Sequence, residues 1–322
     1  MSDKKKTVTL LVPAYNEEEV LDLFYDKVSS LIDSWGDKYN WELLFINDGS
    51  SDNTLNVLRR LREKDSRVNY LDMARNYGKE IGMLAGFDHA SGDCVITIDA
   101  DLQEPPETIP LMLEKWEEGF DDVYGRRRKR KQSWGKRMSS KAYHKLLAAM
   151  SEDVDLADDS GDFRLLDRKC INAMKEMRES QRYTKGLYSV IGFKKTAVDY
   201  DIRQRAAGKS KWTPAKLMRL AVDGITSHSV LPLRLASYLG LIVSAFAFLY
   251  LLFVLIKALA VGDSVAGYPT LICVILFLGG FILLALGIIG EYLGRIFVET
   301  KNRPPYFLRS KNDELPKVEK NN

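Results

Sequence analysis

The chain has 322 residues, and its 47 Lys and Arg against 44 Asp and Glu give a formal net charge of only +3 at pH 7. Net charge alone therefore indicates no polyanionic partner, although basic side chains cluster at Arg126–Lys131, Lys136–Arg137 and Arg203–Lys211. The three cysteines lie far apart without metal-ligand spacing, which excludes a cysteine-based metal site and favours a reducing compartment for the soluble part.

Residues 7–125 alternate between strand and helix patterns. Strands are predicted at 7–14, 41–48, 67–73, 94–100 and 121–125, and helices at Glu17–Ser34, Ser51–Lys64, Tyr77–Ala90 and Pro106–Gly119. Alternation at this spacing predicts an α/β domain with a mostly parallel sheet and helices on both faces. In such sheets, ligands bind beyond the carboxyl ends of the strands.

Polar clusters follow three of these strands: PAYNEE after the first, NDGSSD after the second and DADLQ after the fourth. Because parallel strands end at the same edge of a sheet, we expect the clusters to share one cleft. In the third cluster, only Ala100 separates Asp99 from Asp101. Carboxylates this close repel each other unless a positive group lies between them, and a divalent cation is the usual candidate. The alternative is that Asp99 only caps the next helix.

Common nucleotide and nucleic-acid motifs do not fit this chain. The letters GKS at 208–210 resemble the end of a P-loop, but Arg203 stands where the first glycine is required, and no GxGxxG occurs. We therefore exclude a P-loop NTPase and find no support for a dinucleotide site. The basic run Arg126–Lys131 lacks interleaved aromatic residues, which argues against a nucleic-acid binder.

The composition changes sharply near residue 231. Residues 235–256 and 270–290 carry no charged side chain, and each run is long enough to cross a bilayer, which takes about 20 residues. Two buried core helices are the weaker alternative. The joining loop has no Lys or Arg, whereas Arg234 and Arg295 lie outside the two runs, so the positive-inside rule places both termini in the cytoplasm. We therefore predict a multi-pass protein of the cytoplasmic membrane.

Residues 213–230 predict an amphipathic helix that either lies on the cytoplasmic leaflet or packs on the soluble domain. The opening residues lack a long apolar run, so no signal peptide is predicted, and the polar residues 310–322 predict disorder. The predicted organisation is a cytoplasmic domain at 1–212, the juxtamembrane helix at 213–230, transmembrane helices at 231–261 and 268–294, and a cytoplasmic tail at 295–322.

Six segments in this order resemble the family 2 glycosyltransferases, which have the GT-A fold. They are VPAYNEE at 12–18, NDGSSDNT at 47–54, ARNYGKE at 74–80, DADLQEPPE at 99–107, GDFRLLDRK at 161–169 and RAAGKSKW at 205–212. With the two C-terminal spans, the pattern is most similar to the polyprenyl-phosphate glycosyltransferases of the bactoprenol glucosyltransferase branch, to which the dolichyl-phosphate mannose synthases are more distantly related. The resemblance covers residues 7–300.

The resemblance implies donor-binding roles for the matched residues. Pro13, Tyr15 and Glu17 would line the nucleobase and ribose pocket, with Asp48 on the base edge. Pro13 and Tyr15 could instead only shape a turn. The residues implied to close over the donor diphosphate are Arg205, Ser210 and Lys211.

The resemblance also implies a metal site against the donor diphosphate. Asp99, Asp101 and Gln103 would hold Mg²⁺ or Mn²⁺, because oxygen ligands of this kind suit hard cations. Asp99 would thereby help to bind the nucleotide sugar, and Asp101 would be catalytic.

Asp162 matches the carboxylate that family members place near the reacting carbon. A lipid phosphate nucleophile is already anionic at neutral pH, so no strong general base is required. We therefore favour a role in positioning the acceptor or the metal, with base catalysis second and a simple surface-turn aspartate as the alternative. The residues implied to hold the acceptor phosphate are Arg127, Lys136, Arg137 and Ser140. A basic loop lying against anionic lipid is the alternative for this segment.

The activity implied by the resemblance is inverting transfer of a hexose, glucose from UDP-glucose in the first instance, to undecaprenyl phosphate for modification of a cell-envelope glycan. Galactose, N-acetylglucosamine and mannose remain open. Implied partners are the bilayer, further copies in a homotetramer, a flippase and a downstream glycosyltransferase, but no nucleic acid. The alternatives are a non-catalytic membrane scaffold or flippase accessory and a processive polysaccharide synthase, whose QxxRW motif is absent.

Overall fold

The computed structural model describes residues 5–36, 38–128, 160–180, 182, 184–203 and 267–314, and parts of 238–256. These residues belong to two compact units. One unit holds the described residues up to 203 together with residues 304–314, and the other holds the apolar residues from 238 to 303. The boundary at 212 stays a prediction, and the helix predicted at 213–230 lies outside the described residues.

Eight strands of the described chain form one sheet. They are β1 Thr7–Ala14, β2 Asn40–Asn47, β3 Val68–Met73, β4 Cys94–Thr97, β5 Asp122–Arg127, β6 Ser160–Asp167, β7 Lys195–Tyr200 and β8 Leu308–Lys311. Their order is β7-β5-β6-β4-β1-β2-β3-β8. The β1–β2, β1–β4, β2–β3 and β5–β7 pairs are parallel, whereas β6 and β8 pair antiparallel with their neighbours. The predicted mostly parallel α/β sheet is confirmed.

Helices cover both faces of the sheet. They are α1 Leu21–Ser34, α2 Thr54–Lys64, α3 Lys79–His89, α4 Ile109–Glu117, α5 Arg168–Glu176 and α6 Thr184–Val190. Successive residues of β1 point to opposite faces, so Leu10 joins the core under α1, α2 and α4 whereas Leu11 joins the core under α3, α5 and α6. Both residues are fully buried, which explains why β1 is a continuous apolar run rather than an alternating one.

The predicted element boundaries hold best where the apolar run itself ends. The range of β1 is as predicted, but α1 begins at Leu21 rather than at Glu17. The intervening residues form a turn, and the main-chain N–H of Glu17 donates to Thr54 Oγ1 at 3.0 Å. The predicted fourth strand continued to residue 100, but β4 ends at Thr97. The N–H of Asp99 is directed to the Glu104 carboxylate, 3.3 Å away, instead of to a neighbouring strand.

The C-terminal tail returns to the eight-stranded sheet as β8. Disorder was predicted from Ser310 onwards, but Ser310 is buried and β8 pairs antiparallel with β3. The local pattern misled because a four-residue polar edge strand has no apolar periodicity of its own. For Ser310–Glu314 the prediction of disorder was therefore wrong, and residues 315–322 lie outside the described residues.

The apolar unit contains α7, Tyr268–Thr300, which includes the second predicted span. Its segment Phe277–Thr300 is the one helix within the described ranges that is long and apolar enough to cross a membrane. Described residues between Tyr238 and Tyr250, within the first predicted span, are helical, but much of 231–261 lies outside the described residues. The two-span topology therefore stays a prediction.

Candidate active site

The loops after β1 and β2 are bonded to each other at the carboxyl edge of the sheet. The Asn16 N–H donates to Ser50 Oγ at 3.0 Å, and Asn16 Oδ1 accepts from the Ser51 N–H at 2.8 Å. Asn16 has a φ of 54° and Gly49 a φ of 61°. A Cβ on Gly49 would overlap the main chain of Arg75, so glycine is required there for steric as well as conformational reasons.

Asp48 lies buried between these loops and the start of α3. Its two carboxylate oxygens accept from the N–H groups of Tyr77 and Gly78, at 2.7 and 2.8 Å. Burial raises the pKa of the Asp48 carboxyl, although both N–H donors act to lower it. Asp48 therefore fixes the ARNYGKE segment beside the β2 loop. Of the other predicted pocket residues, Pro13 and Glu17 are half-buried, and Tyr15 is exposed.

Lys79, the first residue of α3, contacts two carboxylates that are distant in sequence. Its Nζ lies 2.6 Å from Asp99 Oδ1 and 2.9 Å from Asp162 Oδ2. Asp162 reaches this point because β6 runs antiparallel to β4 with Thr97 opposite Arg164. The hydroxyl of Thr97 also donates to the main-chain oxygen of Asp162. One ammonium thus neutralises part of the charge of both predicted aspartates.

Charge pairing at this cluster outweighs desolvation. Burial would lower the pKa of the Lys79 ammonium, but the charges of Asp99 and Asp162 overcome it and raise the pKa above its ordinary value. Burial would raise the pKa of Asp162, but Lys79 overcomes it and lowers the pKa. Asp162 Oδ1 is buried and has no hydrogen-bond partner among the described residues. A buried carboxylate oxygen without a hydrogen-bond partner is unfavourable, so this atom is suited to binding a hydrogen-bond donor or a cation.

The DADLQ loop turns tightly after Asp99. Leu102 has a φ of 57°, and the N–H of Gln103 donates to Asp101 Oδ1 at 3.1 Å. The helical turn Pro106–Thr108 and α4 have Pro105 and Thr108 at their N-cap positions, so Asp99 is not a helix cap. Within the described ranges, no three His, Cys, Asp or Glu side chains are grouped as metal ligands. The metal set Asp99, Asp101 and Gln103 remains a prediction.

Glu104 and Glu80 join this cluster, although neither was predicted, and Lys79 was not predicted either. Burial and then the charge of Asp99 raise the pKa of Glu104 to about 8. Burial and the charge of Asp162 also raise the pKa of Glu80, whose carboxylate accepts from the N–H of Thr184 at 2.8 Å. All three residues stand within the ARNYGKE and DADLQEPPE motifs. A charged residue at the start of a helix that follows a parallel strand is the signal that could have identified Lys79.

Arg127 is exposed at the end of β5, and its Nε donates to the hydroxyl of Tyr200 at 3.1 Å. The N–H of Arg203 donates to the main-chain oxygen of Gln103 at 3.0 Å, which joins the chain after β7 to the DADLQ loop. The remaining predicted phosphate-binding residues lie outside the described part of the chain: Lys136, Arg137, Ser140, Arg205, Ser210 and Lys211.

A mostly parallel α/β sheet with paired carboxylates beyond its strand ends is the arrangement of a GT-A-like glycosyltransferase. The family model for Glycosyl transferase family 2 matches residues 9–174. The chain is 43% identical over 302 residues to the uncharacterized glycosyltransferase YkcC of Bacillus subtilis, covering 94% of this chain and 93% of that one. This protein therefore belongs to glycosyl transferase family 2 and is a glycosyltransferase.

Other relatives cover the chain almost completely. The SfII prophage-derived bactoprenol glucosyl transferase of Shigella flexneri is 42% identical over 310 residues, covering 96% of this chain and 99% of its own. The prophage bactoprenol glucosyl transferase homolog of Escherichia coli is 40% identical over 303 residues, covering 94% and 98%. A structure of glucosyl-3-phosphoglycerate synthase from Mycobacterium tuberculosis, with Mn²⁺ and UDP-glucose, has a TM-score of 0.47 at 20% identity and covers 69% of this chain and 77% of that one.

Proposed function

We propose that this glycosyltransferase moves glucose from UDP-glucose to undecaprenyl phosphate, with inversion at the anomeric carbon. The observation that carries the proposal is the 42% identity to a bactoprenol glucosyl transferase over 96% of this chain and 99% of that relative. A match of this extent includes the apolar C-terminal residues as well as the catalytic sheet. It therefore supports a lipid-linked acceptor and not only the family chemistry.

The donor nucleotide would bind where the loops after β1 and β2 are bonded to each other. Tyr15 is exposed at this edge, and Pro13 and Glu17 are half-buried beside it. Asp48 is the base-edge residue in the proposal, and its carboxylate already holds the start of α3. Loops that are already bonded to each other lower the entropic cost of ordering them when the nucleotide binds.

The proposed ligands for Mg²⁺ or Mn²⁺ are Asp99, Asp101 and Gln103. Their oxygen atoms match the preference of hard divalent cations, and the buried unpaired oxygen of Asp162 adds a place for positive charge nearby. When bound, the cation would neutralise negative charge on the leaving diphosphate. Lys79 already neutralises part of the negative charge of Asp99, since its ammonium contacts that carboxylate.

The chemistry would be a single in-line displacement by an oxygen of the lipid phosphate. That oxygen is anionic at neutral pH and needs no deprotonation. The lowered pKa of Asp162 also makes this carboxylate a poor proton acceptor. We therefore assign Asp162 to positioning the reacting groups, with Lys79 holding its carboxylate in place.

The acceptor phosphate would be held by Arg127 with Lys136, Arg137 and Ser140. Charge-assisted hydrogen bonds from such side chains are effective for concentrated negative charge. We propose that α7 is one of two membrane-spanning helices, and that both termini and the catalytic unit face the cytoplasm. Anchoring in the bilayer would raise the effective concentration of the lipid acceptor at the site. Homotetramer formation and contact with a flippase and a downstream glycosyltransferase belong to the same proposal.

A donor panel tests this function directly. Purified full-length protein in bilayers is incubated with undecaprenyl phosphate and radiolabelled UDP-glucose, UDP-galactose, UDP-N-acetylglucosamine or GDP-mannose. We expect label to enter one lipid product of a single sugar, fastest from UDP-glucose. Transfer from another donor alone would contradict the glucose assignment.

The same assay separates the alternatives. A polymer of many sugars would identify a processive synthase. No transfer from any donor would favour a non-catalytic scaffold, provided that a bactoprenol glucosyl transferase is active in parallel under the same conditions.

A further inference from the structure

Arg309, on the C-terminal strand β8, pairs its guanidinium with a buried carboxylate on the neighbouring strand β3. Arg309 Nη1 lies 3.1 Å from Asp72 Oδ2, and Arg309 Nη2 donates to the main-chain oxygen of Ala74 at 3.2 Å. The Asp72 side chain is 1% exposed, whereas that of Arg309 is 61% exposed. A side chain that follows α7 in the sequence thus supplies the countercharge for a carboxylate inside the catalytic sheet.

The other oxygen of Asp72 orients the neighbouring strand. Asp72 Oδ1 accepts from Asn47 Nδ2 at 2.8 Å, and Asn47 Oδ1 accepts from the N–H of Ser50 at 3.2 Å. Asn47 and Asp72 stand opposite each other in the β2–β3 register, and both are 1% exposed. The chain of contacts from Arg309 therefore ends in the loop immediately after β2, which contains Asp48.

We propose that Arg309 is a positioning residue for the nucleotide end of the donor site. This inference rests on the proposed function, because that function places the nucleobase at the loop after β2. Removing Arg309 leaves Asp72 as a buried carboxylate without its arginine partner, which is strongly unfavourable and favours a turn of the side chain towards solvent. That change alters the hydrogen bond to Asn47 and, through Asn47, the position of Ser50.

Other contacts keep β8 in place when Arg309 is replaced. Arg59 forms a bidentate pair with Asp313, with Nε 2.8 Å from Oδ2 and Nη2 2.7 Å from Oδ1. The N–H of Tyr70 donates to Asn312 Oδ1 at 2.8 Å, and the N–H of Asn312 donates to the Tyr70 oxygen at 3.0 Å. Arg59 therefore provides a matched control, because it also holds the tail by an arginine–carboxylate pair but does not contact Asp72, Asn47 or Ser50.

The test uses the full-length protein and three variants, Arg309→Ala, Arg309→Lys and Arg59→Ala. Hydrogen exchange is measured for peptides covering residues 47–54, and UDP affinity is measured by calorimetry. For Arg309→Ala we expect faster exchange in that loop and a rise in the Kd for UDP of about tenfold, as expected for one lost charge-assisted contact. Arg309→Lys should recover part of the affinity, since it keeps the charge but not the fork of donors.

Arg59→Ala should leave both measurements at the wild-type level. Equal changes in Arg309→Ala and Arg59→Ala would overturn the proposal, because they would show that β8 acts only through general docking of the tail. Unchanged loop exchange and unchanged UDP affinity in Arg309→Ala would also overturn it. A wild-type protein that binds no UDP would instead contradict the proposed function, which separates the two failures.

Discussion

The ammonium of Lys79 lies 2.9 Å from the carboxylate of Asp162, although one residue begins α3 and the other stands in β6. The same ammonium contacts Asp99 at 2.6 Å. Neither aspartate is therefore an isolated charge at the carboxyl edge of the sheet. Both carboxylates are paired with a lysine that belongs to a different motif.

Replacing Lys79 by methionine should reduce kcat for glucosyl transfer by at least about 100-fold, the scale seen when a main charge-stabilising group is removed. Lys115→Met is the control, because the Lys115 side chain is similarly exposed, 40% against 36%, and pairs only locally with Glu118. Steady-state rates at saturating UDP-glucose decide the result. A Lys79→Met enzyme with wild-type kcat would show that the ammonium is dispensable.

The raised pKa of Glu104 predicts a pH-dependent stability. The pKa of Glu104 is about 8 in the folded chain, whereas its ordinary value is 4.5. Between pH 4.5 and 8, the folded chain therefore keeps a proton on Glu104 that the unfolded chain has lost. The contribution of protonated Glu104 to the free energy of unfolding is fully present below the unfolded pKa, and it decreases as the pH rises towards 8. Glu104→Gln should therefore flatten the dependence of Tm on pH between 5 and 8, measured with chelator present. Parallel curves for wild type and variant would contradict the assignment.

If Asp99 and Asp101 hold the cation, excess chelator should abolish transfer and added Mg²⁺ or Mn²⁺ should restore it. Asp101→Asn should reduce activity by at least about 100-fold and weaken Mn²⁺ binding measured by electron paramagnetic resonance. Asp26→Asn, at a surface position whose side chain is 67% exposed, should change neither. Full activity in excess chelator would refute the metal assignment.

Gly49 and Gly36 offer a matched pair of backbone tests. Both have positive φ, 61° and 74°, but a Cβ meets the main chain of Arg75 only at Gly49, whereas nothing lies within 4 Å at Gly36. Gly36→Ala should cost about 1–2 kcal/mol of unfolding free energy from strain alone. Gly49→Ala should cost more and should also weaken UDP binding, because the loop after β2 must move. Equal losses of stability, with unchanged UDP binding, would show that the close approach to Arg75 is unimportant.

Arg137→Ala should raise the KM for undecaprenyl phosphate while leaving the KM for UDP-glucose nearly unchanged. The reason is that Arg137 is proposed to hold the acceptor phosphate through charge-assisted hydrogen bonds. Both constants are measured in neutral and in anionic nanodiscs. A normal acceptor KM in neutral discs would assign this arginine to general attraction towards anionic lipid instead.

Local patterns in the sequence were sufficient to predict much of the sheet edge at which the donor nucleotide is proposed to bind. The range of β1 and the parallel direction of the first strands follow from apolar runs and their spacing, since both faces of these strands are buried. The motifs after β1 and β2 were expected to lie together, and the contacts of Asn16 with Ser50 and Ser51 confirm this. The structure brings Asp99 and Asp162, which stand in two different motifs, to the ammonium of Lys79, and their roles stay predictions.

The sequence by itself determined the α/β class, the family motifs and the apolar C-terminal runs, because these properties reside in short stretches of the chain. Only the tertiary structure decided that Lys79 joins Asp99 to Asp162, because this contact depends on β6 entering the sheet antiparallel beside β4. The pairing of Arg309 with Asp72 was likewise decided only by the tertiary structure. Strand order and a returning edge strand arise from hydrogen bonds between distant segments, and a local pattern of polar and apolar residues does not encode which distant edge a short polar strand will join.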